Sequence, residues 1–210
     1  MKLEGLKINF LGDSITEVHS ASCVENVYNQ VMKRKYGLAK ANNYGVGGTR
    51  IARQTVPSEK TIFDYTFEMR AEVMDRDVDA VVVFGGTNDF GHGDAKLGDI
   101  ESDDIYTFCG ALNSLITKLS KDFAGKEIVF MTPLHRTSEN EPSQPEGKVL
   151  SDYVDKMREI FKKRNIKYID LFEINPFDTG SDKYSPDGLH PGDLGYEVLG
   201  DTVAKELMKL

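Results

Sequence analysis

Apolar positions along the chain follow two periods. Short runs dense in β-branched and aromatic residues, LKINFL (6–11), DAVVVF (79–84), EIVFMT (127–132) and IKYIDL (166–171), predict strands. Their near-continuous apolar character suits strands covered on both faces, as in a parallel sheet. A fifth strand, weaker in pattern, is expected to end around NNYGV (42–46). Between the strands the period lengthens. In residues 102–123, Ile105, Phe108, Leu112, Leu115, Ile116 and Leu119 recur at three- and four-residue steps, which predicts a helix with Ser102 as its cap. Residues 151–165 do the same through Val154, Met157, Ile160 and Phe161, and the tail does so from Leu194 to Leu210. These stripes are core-facing surfaces.

Strands alternating with helices predict an α/β fold built of βαβ units. Each irregular segment follows a strand: GDSIT, GVGGTR, GGTNDFGHGD, PLHRTSENEPSQPEG, and the long piece from Phe172 to His190. In open α/β sheets ligands bind at the carboxyl ends of the strands. All five loops are therefore expected to crowd one edge.

The chain has 210 residues, enough for one domain with a full core. Its net charge of −8 argues against nucleic acid or an anionic membrane as the main partner, since both are recognised through clustered Lys and Arg. A small molecule fits better. No stretch has the length and apolarity of a membrane span, and the opening MKLEGLKINF lacks the h-region of a secretory signal, so a cytoplasmic location is expected. Cys23 and Cys109 lack CxxC spacing, and with four scattered histidines they make no zinc pattern. No metal or cofactor is expected.

Candidate chemistry lies in the loops. In SPDGLHPGDLGY (185–196) Asp187 and His190 are three residues apart, a spacing that lets a carboxylate orient one imidazole nitrogen and leave the other free as a base. The same stretch also fits a helix start, with Asp187 as the capping acid and Pro191 in the first turn. A base of this kind needs a nucleophile, and Ser14, at the end of the first strand, supplies a hydroxyl. Acyl transfer also needs donors for the developing oxyanion. Gly48, the side-chain amide of Asn88 and the backbone N–H of Ser14 are the candidates, with Gly47 an alternative to Gly48. As local chemistry these glycines and Asn88 also suit turns. A nucleotide site is disfavoured, because GVGG lacks the GxGxxG spacing and no GxxxxGK[ST] occurs. The GxSxG elbow of α/β-hydrolases is absent around Ser14.

Taken together, GDS (12–14), GGT (47–49), GTND (86–89) and DGLH (187–190) resemble, in order, the four blocks of the SGNH hydrolase superfamily, the GDSL esterases and lipases. One departure is that GDSL reads GDSI here. The resemblance implies a three-layer α/β/α sandwich with a flavodoxin-like five-stranded parallel sheet of order 2-1-3-4-5. It also implies a serine esterase with Ser14, Asp187 and His190 catalytic and Ser14, Gly48 and Asn88 forming the oxyanion hole. The polar loop 133–147 favours a small soluble ester, for instance an acetylated sugar, over a long-chain lipid or thioester. Phe90, His92, His135, Arg136 and Tyr184 are candidates to shape the pocket. A catalytically idle binding module of the same fold is the competing class.

Overall fold

The computed structural model describes residues 1–143 and 145–210. Five strands form one parallel sheet: β1 (Lys7–Gly12), β2 (Lys40–Gly45), β3 (Ala80–Phe84), β4 (Glu127–Met131) and β5 (Lys167–Ile169), in the spatial order β2-β1-β3-β4-β5. In chain order the helices are α1 (Ser14–Glu17), α2 (Tyr28–Tyr36), α3 (Phe67–Ala71), α4 (Thr87–His92), α5 (Phe108–Asp122), α6 (Leu150–Lys163), α7 (Leu171–Ile174) and α8 (Asp193–Lys209).

Alternation along the strands divides the core in two. Leu11, Val81, Val83 and Phe130 face one layer, packing against Phe67 of α3, Leu112 and Leu115 of α5, and Val154 and Phe161 of α6. Ile8, Phe10, Val82, Phe84 and Val129 face the other, against Tyr28 and Met32 of α2 and Leu199 and Val203 of α8. The three-layer sandwich follows. Helices α2 and α8 approach closely at Gly200, where a Cβ would lie 2.9 Å from both the Tyr28 carbonyl and Val31. A larger residue there would force the helices apart.

The long helix starts later than its periodicity predicts. Thr107, not Ser102, is the cap, its hydroxyl accepting from Gly110 N at 3.2 Å. Residues 102–107 are committed elsewhere: Ser102 Oγ accepts from Asp104 N, the Ile105 carbonyl accepts from Arg53 N, and Thr107 bridges to Lys96. Tertiary hydrogen bonds outcompete helix extension there.

Register determines where chemistry can assemble. Gly12 of β1 is level with Gly45 of β2 and Phe84 of β3. The loops carrying Ser14, Gly48 and Asn88 therefore leave the sheet side by side.

Candidate active site

Strand β1 ends at Gly12, and Asp13 turns the chain into α1 by accepting from Ile15 N at 3.0 Å. This places Ser14 at the first position of the helix, 6% exposed. Its hydroxyl lies 2.8 Å from His190 Nε2, and His190 Nδ1 lies 2.7 Å from Asp187 Oδ2. Asp187 Oδ1 accepts from the backbone N–H groups of His190 at 2.7 Å and Leu189 at 3.0 Å. Burial works to raise the Asp187 pKa, but the bonds from the His190 backbone and ring and from Leu189 N outweigh it and hold the carboxyl below its ordinary value. An ionised carboxylate only accepts. Nδ1 therefore carries the proton towards Asp187, and Nε2 is left to accept the proton of the Ser14 hydroxyl. Burial lowers the His190 pKa, with His19 and Arg136 adding to that and Asp187 opposing it, so the ring stays neutral further into acid than a free imidazole.

The helix-start alternative for this segment does not hold. Helix α8 begins at Asp193 behind Gly192, and the Asp187 carboxylate is spent on its own turn and the imidazole. Gly188, at φ +74°, gives that turn its shape, and its carbonyl accepts from Thr137 N at 3.0 Å.

The second loop, Gly47–Gly48–Thr49, lies against Ser14. Gly48 takes φ +75°, and a Cβ on it would collide with the Phe63 ring, so both backbone and space call for glycine. Gly47 N donates to Glu17 Oε2 at 2.8 Å. Among the described residues Gly48 N has no partner. Asn88, at the start of α4, donates from Nδ2 to the Thr49 carbonyl at 3.0 Å, which ties the third loop to the second.

Two residues outside the expected catalytic and oxyanion set brace this arrangement. Arg70, from α3, is buried and donates to the carbonyls of Gly12 (2.7 Å), Tyr44 and Tyr65 and to Thr49 Oγ1 (2.8 Å), linking the ends of β1 and β2 to the glycine loop. Burial lowers its pKa to about 10, against the opposing charge of Asp13. Asp89 accepts from Ile51 N and Ala52 N at 3.0 and 2.8 Å and pins the segment beyond Thr49. Burial raises the Asp13 carboxyl to about 7 and that of Asp89 to about 6. Asp89 lies within GTND, so the motif flagged its neighbourhood. Arg70 sits in an ordinary helical stretch that carries no signal.

The peripheral candidates divide. Phe90, His92 and Arg136 line a cavity of about 290 Å³ together with Ser138 and Glu141. Arg136 is held by Thr87 and Ser138, and Phe90 is otherwise a core residue against Tyr153. His135 has both nitrogens engaged, by Glu139 at 2.7 Å and the Phe172 carbonyl at 3.0 Å. Tyr184 stacks on Phe177. The ring of His19, absent from the sequence-based set, lies 3.9 Å from that of His190.

A parallel α/β sheet presenting a Ser-His-Asp relay at its carboxyl edge defines a hydrolase of the serine-nucleophile class. The GDSL-like lipase/acylhydrolase family matches residues 10–198, and the chain belongs to that family, whose members are carboxylic ester hydrolases. One solved structure is 30% identical with a TM-score of 0.84, covering 100% of this chain and 99% of the other. The lipase/acylhydrolase from Enterococcus faecalis is 21% identical with a TM-score of 0.66, covering 97% of this chain and 96% of its own. The acetyl xylan esterase AlAXEase is 21% identical with a TM-score of 0.65, covering 95% and 98%. The comparison with curated proteins found no match. Among the described residues no helix is long and apolar enough to cross a membrane.

Proposed function

We propose that the chain works as one hydrolase domain that cleaves a short-chain or acetyl ester of a small soluble molecule, a carbohydrate for example, through an acyl-enzyme on Ser14. The continuous Ser14–His190–Asp187 relay carries this reading. As Ser14 Oγ attacks the carbonyl carbon, its proton passes to His190 Nε2, and Asp187 stabilises the imidazolium. The tetrahedral intermediate collapses, His190 Nε2 returns that proton to the departing alkoxide, and the acyl group stays on Ser14. Water then attacks the acyl carbon while passing a proton to His190 Nε2; the second tetrahedral intermediate collapses by breaking the bond to Ser14 Oγ, His190 returns the proton to that oxygen, and the acid leaves.

The oxyanion in both steps is assigned to the Ser14 N–H, the Gly48 N–H and Asn88 Nδ2. Gly48 is preferred to Gly47 because Glu17 already occupies the Gly47 N–H. The Asn88 amide has two N–H groups, and the one not spent on Thr49 remains to donate. A soluble substrate is favoured by the polar 133–147 loop and by the charged cavity beside it, where Arg136, His92 and Glu141 meet. An acetyl ester is within the capability of this architecture, as the acetyl xylan esterase of similar fold attests. The net charge of −8 makes nucleic acid an unsuitable partner.

A p-nitrophenyl ester series of increasing chain length tests the substrate class. Turnover is expected to be highest for acetate and to vanish in Ser14→Ala. A preference for long chains would overturn the substrate, and full activity in Ser14→Ala would overturn the nucleophile.

A further inference from the structure

Two of the four histidines, far apart in sequence, meet at the relay. Donor atoms of His19, Asp187 and His190 all lie within 4.8 Å of one another. His19 and Asp187 are exposed and His190 is half-buried, so the group opens to solvent. Two imidazoles and a carboxylate are the ligand types zinc prefers, and three protein ligands leave a fourth tetrahedral position for water. Tetrahedral bonds of about 2.0–2.1 Å hold donors about 3.3 Å apart, so a metal on Nδ1 would open the 2.7 Å His190 Nδ1–Asp187 Oδ2 pair slightly, and His19 would have to close in. The exposed His19 side chain can do so by rotation. Among the described residues neither of the other two histidines falls in a group of three such ligands: His135 meets Glu139 and a backbone carbonyl, and His92 Nδ1 faces the Arg50 guanidinium at 3.4 Å.

We propose that His19, Asp187 and His190 form a zinc-binding site that switches the hydrolase off. The inhibitory half of this proposal rests on His190 being the catalytic base; the binding half does not. Metal on Nε2 would replace the Ser14 hydrogen bond. Metal on Nδ1 would move the ring proton from Nδ1 to Nε2, where it would point at Ser14 as a donor. Both arrangements consume the Nε2 lone pair that must accept the hydroxyl proton, and neither requires a proton to leave the ring. Hard cations such as Mg²⁺, which favour all-oxygen ligands, are expected to leave the enzyme active.

The test uses Zn²⁺ alone as probe, with binding and activity read separately. Calorimetric titration of Ser14→Ala, which keeps all three ligands and has no turnover to lose, is expected to give one Zn²⁺ per chain. Adding His19→Ala or His19→Phe to that background is expected to weaken binding at least tenfold, whereas adding His92→Ala leaves it unchanged. The phenylalanine keeps a ring against His190 but removes the nitrogen, which separates ligation from stacking. In the active enzyme, Zn²⁺ is expected to inhibit p-nitrophenyl acetate turnover reversibly with chelator, and His19→Phe to raise the inhibitory concentration by the same factor. Zinc binding that is absent, unchanged in both His19 variants or lost equally in His92→Ala would overturn the site. Binding that depends on His19 but does not inhibit would overturn the switch alone; the role of His190 is read separately, from loss of p-nitrophenyl acetate turnover in metal-free His190→Ala.

Discussion

The two halves of the relay are held in opposite ways. Ser14 and the donor loops sit in a buried polar frame: Arg70 crosses from Gly12 to Tyr44 and Thr49, Asn88 reaches Thr49, and Asp89 grips Ile51 and Ala52. Asp187 and His190 occupy a partly exposed turn whose bonds are largely its own, with Thr137 N to the Gly188 carbonyl as one outside tie. Buried frames keep donors in place without reorganisation when charge develops, which is the condition for effective oxyanion stabilisation. As the proposed base, His190 must take up and release a proton twice per cycle, and a partly solvated turn allows this without forcing a charge into a dry interior. The contrast predicts that damage to the frame is felt in folding, and in rate as well where a frame residue is also a donor, whereas damage to the turn is felt in rate alone.

The sharpest expectation concerns the turn. Asp187→Asn is expected to lower kcat by about 10⁴, because the amide would present its own N–H to Nδ1 and favour the wrong tautomer. Since Asp187 is exposed, unfolding free energy should change by no more than about 1 kcal/mol. Urea melts beside kinetics check both, and a large stability loss would break the contrast. Next is the frame. Arg70→Met leaves three carbonyls and the Thr49 hydroxyl short of a donor, and is expected to cost about 3–5 kcal/mol of stability. An equally stable variant would mean that the glycine loop holds itself in place.

Asn88→Ala combines both roles on a smaller scale. A fall of about 10²–10³ in kcat with little change in KM is expected for a lost oxyanion donor. Loss of the Thr49 tie should accompany it as a modest drop in Tm. The smallest effect is in pH. Burial favours the neutral form of His190, so the acid limb of kcat/KM is expected below the ordinary imidazole value of 6.5. A limb above that value would mean that Asp187 dominates burial at this ring.

The strands and the four motif loops were legible in sequence because they rest on local chemistry: apolar runs covered on both faces, and glycines where the backbone turns tightly. Strand β2, KANNYG, was faint because it lies at the sheet edge and carries polar side chains that bond across to β1 and α1, as Asn42 does to Asn9 and Asn43 to the Thr16 carbonyl. Periodicity places the start of α5 too early because Ser102 and Thr107 are both good caps, and only contacts to Lys96 and Arg53 choose between them. Arg70 and His19 were invisible for a related reason. A buried arginine on a short helix and an exposed histidine after a turn gain their significance from partners distant in sequence, 21 or more residues away for all but the Tyr65 carbonyl. The motifs marked the relay and, through GTND, part of its frame; Arg70 and His19 emerge only from packing.

Covalent trapping tests the central claim most directly. Treatment with a fluorophosphonate followed by peptide mapping should give a single adduct on Ser14, greatly slowed in His190→Ala and absent in Ser14→Ala. A label on another residue, or ester turnover that survives with Ser14 unlabelled, would contradict the account.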